Sequence, residues 1–101
     1  MKKAKIYFNS RPSGILTEEN GHYVFKYSKD YKGPSISRTM PREKERFEFE
    51  EFPSFFDGLL PEGVNLEAFL RRTKIDRRDY FGQLLAVGRD LVGALTVEKM
   101  A

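Results

Sequence analysis

The sequence predicts a single α+β domain, with a small antiparallel sheet packed against about three short helices. The first third of the chain alternates with the period of β-strands and contains a hairpin signal. From residue 52 the apolar residues recur with the period of a helix, and a last apolar segment near the C-terminus indicates a closing strand. Strands, then helices, then a strand are typical of a sheet with its helices on one face. We expect this one domain to span residues 1–101.

Three strands are predicted in an N-terminal meander, at residues 5–8, 14–17 and 22–27. The first is rich in the aromatic and β-branched residues that favour strands. Asn20 and Gly21 both tolerate the positive φ of a type I′ turn, so we expect a tight hairpin between the second and third strands. Tyr23, Phe25 and Tyr27 alternate along the third strand and therefore share one face.

The segments around these strands are predicted as follows. Residues 9–13 are polar and turn-rich, which indicates a loop. Residues 36–41 are expected to be extended, because Pro41 disfavours helical geometry at Met40. Residues 47–50 alternate aromatic and acidic side chains, so a short strand and an exposed edge or loop both remain open.

The first predicted helix carries five large apolar residues on one face: Phe52, Phe55, Phe56, Leu59 and Leu60. Pro61 ends this helix, because proline cannot continue the hydrogen-bond ladder and disfavours helical geometry in the residue before it. Glu62 and Gly63 form the turn that follows. So apolar a helix must be buried, either within this chain or against a partner.

Two further helices are predicted beyond that turn. Asn65 is a good N-cap for the second helix, which runs to about Lys74. Asp76 is the expected N-cap of the third helix. The core face of that helix is expected to consist of Tyr80, Phe81, Leu84 and Leu85.

The end of the chain is predicted to turn and return to the sheet. Gly88 stands where the left-handed residue that follows a helix is expected. Arg89 and Asp90 then turn the chain. Residues 92–97 indicate the closing strand, in which Gly93 allows close backbone approach.

Composition excludes several classes of protein. The 101 residues include no cysteine and one histidine, His22, so a disulfide framework and a thiolate metal site are excluded and a histidine-based metal site nearly so. No apolar run approaches the ~18 residues of a transmembrane helix. The basic N-terminus is not followed by the apolar segment of a signal peptide. We therefore expect a cytoplasmic protein.

The net charge of +3 is small, and its excess lies in the first third of the chain. Residues 1–34 hold seven Lys or Arg against three acids, whereas residues 35–101 hold eleven against twelve. A dedicated nucleic-acid-binding protein usually concentrates its positive charge in one stripe. The nearest candidate, the basic cluster at residues 71–78, is interrupted by Asp76 and is typical of a solvated helix end.

No catalytic constellation is present in the sequence. No serine lies in a Gly-x-Ser-x-Gly elbow, and no glycine-rich phosphate loop is found. Asp57 and Glu62 can be imagined as a pair of catalytic carboxylates, but a structural role is favoured for both. His22 is expected to be a surface residue beside the hairpin turn. The surplus of large apolar residues between positions 52 and 85 instead indicates a protein–protein interface.

Two motifs resemble the N-terminal subdomain of HipA-type serine/threonine kinases. Residues 55–63, FFDGLLPEG, are similar to that family's Phe-Phe-Asp-Asn/Gly-Leu-Leu-Pro-Glu-Gly motif. Residues 79–95 resemble its second block, in which a helix runs into Gly-x-Asp-x-x-Gly-Ala. Segments of the first 41 residues also fit, so the resemblance covers nearly the whole chain. The kinase machinery of the family lies beyond this subdomain and is not found in this sequence, so we expect a protein that is not a kinase.

The resemblance also implies a function and partners. A free-standing subdomain of this kind resembles HipS, the antitoxin of tripartite HipB–HipS–HipT systems. It is then a binding module that neutralises a partner kinase of HipT or HipA type. A HipB-like helix-turn-helix protein is expected in the same complex, and DNA is expected to be contacted only through that complex. The resemblance implies no cofactor.

The predicted partner-binding residues are Asp57, Pro61, Glu62, Gly63, Val64 and Asn65. The turn bounded by Pro61 and Gly63 is expected to be rigid, and a side chain on a stiff corner loses little entropy on binding. Val64 has no obvious helical role there. HipS-like proteins can carry a large aromatic residue just after Pro-Glu-Gly, so a valine argues against a deep side-chain plug but not against docking.

Other functions remain open from the sequence. The chain is also interpretable as the N-terminal regulatory subdomain of a longer HipA-like kinase, against which its clean end near residues 99–101 argues mildly. A nucleic-acid-binding accessory module would use the basic N-terminal third and would show a strongly salt-dependent affinity. An enzyme in its own right is disfavoured by the lack of catalytic motifs.

Overall fold

The computed structural model describes residues 1–91 and 94–100. Five strands form one antiparallel sheet: β1 (Lys2–Phe8), β2 (Arg11–Glu19), β3 (His22–Tyr27), β4 (Arg46–Phe49) and β5 (Leu95–Lys99). Their order across the sheet is β4-β3-β2-β1-β5, so the C-terminal strand joins the meander beside β1. Between β4 and β5 the chain forms the helices α1 (Ser54–Asp57), α2 (Gly63–Thr73) and α3 (Tyr80–Val87). This architecture confirms the predicted α+β class. Within the described residues, no helix is long and apolar enough to cross a membrane.

Two tight turns build the meander, one predicted and one not. Asn20 and Gly21 form the expected hairpin turn, with φ values of 53° and 78°. The loop predicted at residues 9–13 is instead a two-residue turn, in which Asn9 and Ser10 take φ values of 51° and 67°. The prediction missed this turn because serine does not favour positive φ, unlike asparagine and glycine.

The turn at Asn9 and Ser10 is followed by a bulge in β2. Ile6 pairs with Gly14, whereas Tyr7 pairs with Pro12, so Ser13 is the extra residue. The Ser13 side chain is buried, and its hydroxyl donates to the Ile6 carbonyl oxygen at 3.0 Å. A polar side chain is therefore accommodated at the inner face by a local hydrogen bond.

The core lies between the inner face of the sheet and the helices. Its fully or nearly fully buried members include Ala4, Ile6, Leu16, Phe25, Tyr27, Phe56, Phe81, Leu84 and Val97. The predicted shared face on β3 is confirmed, because Phe25 and Tyr27 are buried in this core and Tyr23 packs against it half-buried. The Phe25 ring meets the Phe56 ring with centroids 6.1 Å apart, which joins the sheet to α1.

The long connection from β3 to β4 folds back on the end of β3. The Tyr27 hydroxyl donates to the Met40 carbonyl oxygen and accepts from the Ile36 amide at 3.0 Å. The Arg42 guanidinium lies 5.3 Å from the Tyr27 ring centroid and 5.2 Å from that of Tyr31. A buried tyrosine thus holds a connection that has little regular structure of its own.

Within this connection, the extended conformation predicted for residues 36–41 is wrong. The Met40 amide donates to the Ser37 carbonyl oxygen at 3.1 Å, which closes a turn. Pro41 restricts only the residue before it, so the residues between Ser37 and Met40 remain free to turn. Of the alternatives left open at residues 47–50, the structure has the edge strand, β4 at Arg46–Phe49.

The predicted opening helix is much shorter than expected. α1 has four residues, because Pro53 stands at its N-cap with an extended ψ of 131°. After Asp57 the chain continues as successive turns, in which the amide of Leu60 donates to the carbonyl oxygen three residues earlier at 3.1 Å. Such turns keep the side-chain spacing close to that of a helix. The predicted burial therefore holds in part: Phe56 and Leu60 are buried, and Phe52, Phe55 and Leu59 are half-buried against the core.

The third helix begins three residues later than predicted. Its N-cap is Asp79, whose carboxylate accepts from the Gly82 amide at 2.9 Å. Asp76 instead shapes the turn before the helix, where its carboxylate accepts from the Arg78 amide at 2.8 Å. Of the predicted core face, Phe81 and Leu84 are buried and Leu85 is half-buried, whereas Tyr80 is exposed.

The C-terminal glycine of α3 has a different role from the one predicted. Gly88 is right-handed, with φ −54° and ψ −37°, and opens a single 3₁₀ turn, Gly88–Asp90. A Cβ at this position would lie 2.4 Å from the Val97 carbonyl oxygen, so Gly88 allows close approach to β5. The Asn9 amide donates to the Ala94 carbonyl oxygen, so the Ala94 carbonyl points toward β1. Carbonyl direction alternates along a strand, and the Val97 carbonyl, three residues later, therefore points away from β1. The predicted close approach at Gly93 lies outside the described residues.

Candidate partner-binding face

A fixed corner connects α1 to α2. After Pro61 the chain leaves the preceding turns through one extended residue, Glu62, at φ −130° and ψ 160°. Gly63 then opens α2 at a φ of +57°, a conformation that glycine adopts without the steric cost other residues meet. The Glu62 carbonyl oxygen accepts from the amides of Asn65 and Leu66 at 3.1 and 3.2 Å. The corner is therefore held by backbone conformation and backbone hydrogen bonds.

This geometry corrects two predictions. Asn65 is not the N-cap of the second helix, because it already lies in the first turn of α2. The N-cap position belongs to Glu62, whose side chain makes no capping hydrogen bond. The predicted turn from Pro61 to Asn65 thus shrinks to Pro61 and Glu62, and the three residues that follow belong to the first turn of α2.

Val64 is the most exposed large apolar side chain among the described residues. It stands on the first turn of α2 with 84% of its surface exposed. The core residue of α2 is Phe69, five positions further along and buried. A valine with this exposure packs little against the described residues, so its surface is available to a partner.

Two grooves lie on either side of this corner. The first is found where α1, α2 and α3 converge, and its walls include Asp57, Leu60, Pro61, Glu62, Gly63 and Tyr80. The second runs between α2 and the end of α3, and its walls include Pro61, Asn65, Phe69, Val87 and Leu91. The structure therefore places four predicted site residues around the first groove, Asn65 in the second, and Pro61 in both. Val64 lies between Gly63 and Asn65 in the sequence, but it lines neither groove.

Tyr80 is a candidate site residue that the sequence analysis assigned to the core. It is 41% exposed and faces the first groove. Its ring packs against Phe52 at 5.7 Å between centroids, and Phe52 in turn meets Tyr23 edge-on at 5.4 Å. The Tyr80 ring thus packs against Phe52, and part of its surface remains exposed to solvent. The sequence held no clear signal for this exposure, because the choice between Asp76 and Asp79 as the cap decides which residues of the first turn are buried.

Among the described residues, some charged side chains around the first groove are paired and others are not. Arg77 is bound to Glu67, with its terminal nitrogen 2.6 and 2.9 Å from the two carboxylate oxygens. The buried Gln83 side chain donates to the Asp76 and Arg77 carbonyl oxygens. Asp57 and Glu62 are exposed, and neither lies within ion-pair distance of a cation in the described part of the chain. The groove therefore presents an apolar floor with two carboxylates at its rim.

The ring network behind the groove is apolar in character. Burial raises the pKa of the Tyr23 phenol, and the nearby carboxylates of Glu18 and Asp79 raise it further. Tyr23 is therefore neutral at physiological pH and supports Phe52 as an aromatic wall. Within residues 1–91 and 94–100, no group of three or more potential ligands is arranged to hold a metal ion.

Comparison with known proteins identifies the family. The family model for the HipA N-terminal domain matches residues 4–98. A protein of uncharacterised function from Haemophilus influenzae is 27% identical over 99 residues, which cover 98% of this chain and 93% of that protein. A solved structure of the N-terminal domain of HipA toxin superposes with a TM-score of 0.83 at 26% identity, over 100% of this chain and 94% of the other. The chain therefore belongs to the HipA N-terminal domain family.

Proposed function

We propose that this chain is a non-catalytic binding module that docks on a serine/threonine kinase of HipA type and neutralises it, as the antitoxin of a toxin–antitoxin system. The observation that carries the proposal is Val64, an apolar side chain 84% exposed on a corner fixed by Pro61 and Gly63. Family membership supports the kind of partner, since the similar solved structure is the N-terminal domain of a HipA toxin.

The size of a relative favours a stand-alone module over a regulatory piece of a longer kinase. The match to the Haemophilus influenzae protein covers 93% of that protein's length, so that relative consists of little more than this domain. A kinase that lacks its own N-terminal domain would leave a docking site of complementary shape for such a module. A HipB-like helix-turn-helix protein is the further partner proposed for the same complex.

The proposed contact consists of the Val64 side chain and the two grooves beside it. Full burial of a valine side chain contributes about 1.5–3 kcal/mol. The corner is already ordered in the free chain, so binding loses little conformational entropy there. The open side of Tyr80 and the rim carboxylates Asp57 and Glu62 extend the contact into the first groove. A partner segment with apolar and basic side chains would complement this surface.

Co-expression with a HipA-type kinase that lacks the N-terminal domain tests the proposal. The tagged chain should co-purify with that kinase and restore growth of cells that express it. Val64→Asp should strongly weaken both, because it replaces the apolar surface of the contact with a carboxylate that must be desolvated. Asn20→Asp is the matched control: it makes the same charge change at an exposed turn, where aspartate tolerates the positive φ.

A graded series separates contact from folding. Val64→Ala removes the equivalent of two methylenes, about 1.6 kcal/mol, so affinity should fall about 15-fold while the circular dichroism spectrum and melting temperature stay unchanged. Glu62→Arg and Asn65→Arg should also weaken neutralisation, since neither side chain caps α2. If Val64→Asp and Glu62→Arg both co-purify with the kinase and rescue growth fully, this corner is not the inhibitory contact.

A further inference from the structure

The outer face of the sheet, opposite the helices, carries a group of lysines brought together by the strand register. Lys3 pairs with Thr17 between β1 and β2, and Ile15 pairs with Lys26 between β2 and β3. Lys29 follows the end of β3, and with Lys3 and Lys26 it lines one shallow depression that has Ile15 and Thr17 in its walls. In the sequence these lysines are 26 positions apart at most, and alternation puts Lys3 and Lys26 on the solvent side.

These three lysines stand apart from the acidic side chains of the described residues. Lys3, Lys26 and Lys29 are exposed, and none has an acidic side chain within 4.0 Å in the part of the chain that the structure describes. The acidic residues of this face stand at its margins: Glu48 and Glu98 lie on the two edge strands, and Glu19 lies at the end of β2 in register with His22. Glu48 on β4 lies 3.2 Å from His22, and Glu98 on β5 accepts from the Tyr7 hydroxyl at 3.4 Å. The centre of the face is therefore cationic, and its margins are not.

We propose that this lysine face, defined by Lys3, Lys26 and Lys29, binds the phosphate backbone of double-stranded DNA. Lysine is depleted at protein–protein interfaces, whereas lysine contacts to phosphates supply most non-specific affinity for DNA. The major groove admits a helix or a two-stranded ribbon, and this face belongs to a five-stranded sheet. We therefore expect contacts to phosphates rather than to base edges in the major groove, and a contact of that kind does not depend on sequence.

This surface is separate from the proposed kinase contact. Val64 and its grooves belong to the helical layer, and the lysine face is the solvent side of the sheet. Both can be occupied at once. The inference thus goes beyond the purely indirect contact with DNA that the resemblance implies, and its test does not require the kinase.

Fluorescence anisotropy of a labelled mixed-sequence duplex with the full chain measures this binding. For three phosphate contacts, affinity should fall about 40-fold between about 50 and 200 mM salt. The double variant Lys3→Ala/Lys26→Ala leaves one contact, so its affinity should fall only about 4-fold over the same range. The control double variant Arg38→Ala/Arg71→Ala removes the same charge from exposed positions elsewhere and should keep the wild-type salt dependence.

Each other outcome overturns the proposal. No binding at low salt excludes a DNA site. An equal loss of salt dependence in both double variants shows a response to net charge rather than to this face. A change of duplex sequence that alters affinity contradicts backbone-only contact. If poly-glutamate displaces the duplex as well as unlabelled DNA does, charge for charge, the face fits an acidic protein instead. Circular dichroism of each variant excludes loss of folding as the cause.

Discussion

Gly58 and Gly88 should respond in opposite directions to replacement by alanine. Both are right-handed, with φ and ψ of −65° and −12° at Gly58 and −54° and −37° at Gly88. An alanine fits either backbone conformation. The two positions differ in the space for a Cβ. At Gly58 the nearest atom is the Phe55 carbonyl oxygen at 3.5 Å, whereas at Gly88 the Val97 carbonyl oxygen lies at 2.4 Å and the Val97 Cβ at 2.6 Å.

The difference in free energy of unfolding between the two variants measures the cost of the close approach between residue 88 and β5. Replacing glycine by alanine where the backbone permits it stabilises a protein by about 0.4–1 kcal/mol, because the unfolded chain loses freedom. That gain is common to both positions and cancels in the comparison. At Gly88 the new methyl group meets the backbone of β5, which must move, and overpacking of this kind costs about 1–3 kcal/mol. Gly58→Ala should therefore be more stable than Gly88→Ala by about 1–3 kcal/mol.

Urea and thermal unfolding followed by far-ultraviolet circular dichroism measure the difference, since the chain has no tryptophan. For a domain of this size, 1 kcal/mol corresponds to about 4–8 °C in melting temperature. Gly58→Ala should melt at or above the wild-type temperature and Gly88→Ala below it. Equal stabilisation of both variants would refute the packing of Gly88 against β5. A large loss at Gly58 would show that its conformation is not the helical one described.

Three further predictions concern the cap of α3 and the buried Tyr27. Asp79→Ala removes the side-chain cap of α3 and should lower the free energy of unfolding by about 0.5–2 kcal/mol; Asp76→Ala should cost less, and the reverse order of urea midpoints would restore Asp76 as the cap. Tyr27→Phe leaves the Ile36 amide and the Met40 carbonyl oxygen without their hydroxyl partner, so it should cost about 1–3 kcal/mol, and an unchanged midpoint would contradict this network. Burial raises the pKa of the Tyr27 phenol above its usual value of about 10, so the phenol loses its proton at a lower pH in the unfolded chain than in the folded one. The free energy of unfolding should therefore be constant at neutral pH and fall above about pH 10. The fall should be less steep in Tyr27→Phe, which lacks this phenol. An equally steep fall in that variant, followed by circular dichroism, would assign the alkaline loss to other groups.

The sheet could be predicted from the sequence where residues carry their own conformational preference. The hairpin at Asn20 and Gly21 formed as expected because both residues favour positive φ. Phe25 and Tyr27 lie on one face as predicted, because burial of one face of a strand fixes its register. The turn at Asn9 and Ser10 was missed, since its conformation is imposed by the pairing of β1 with β2 rather than by Ser10.

Helix starts could not be predicted reliably, because several residues near each start are competent caps. Asp76 and Asp79 lie three positions apart, and only the fold decides which carboxylate meets a free amide. At α2 the sequence offered Asn65, yet the helix opens earlier at Gly63, where backbone conformation replaces a side-chain cap. The exposure of Tyr80 is a consequence of the same uncertainty, since a shift of a helix start changes which residues of the first turn are buried.

The two family motifs support the fold more directly than they support the function. In the first motif, Phe56 and Leu60 fill the core and Gly63 takes a conformation that favours glycine. In the second, Asp79 caps α3 and Gly88 admits β5. These residues act through packing, capping and backbone conformation, whatever the chain binds. Partner choice must therefore reside in side chains that the fold does not require, and Val64, directly after the first motif, is the most exposed of the apolar ones. Exchange of residue 64 between members of the family should then change the affinity for a given partner while the free energy of unfolding stays the same.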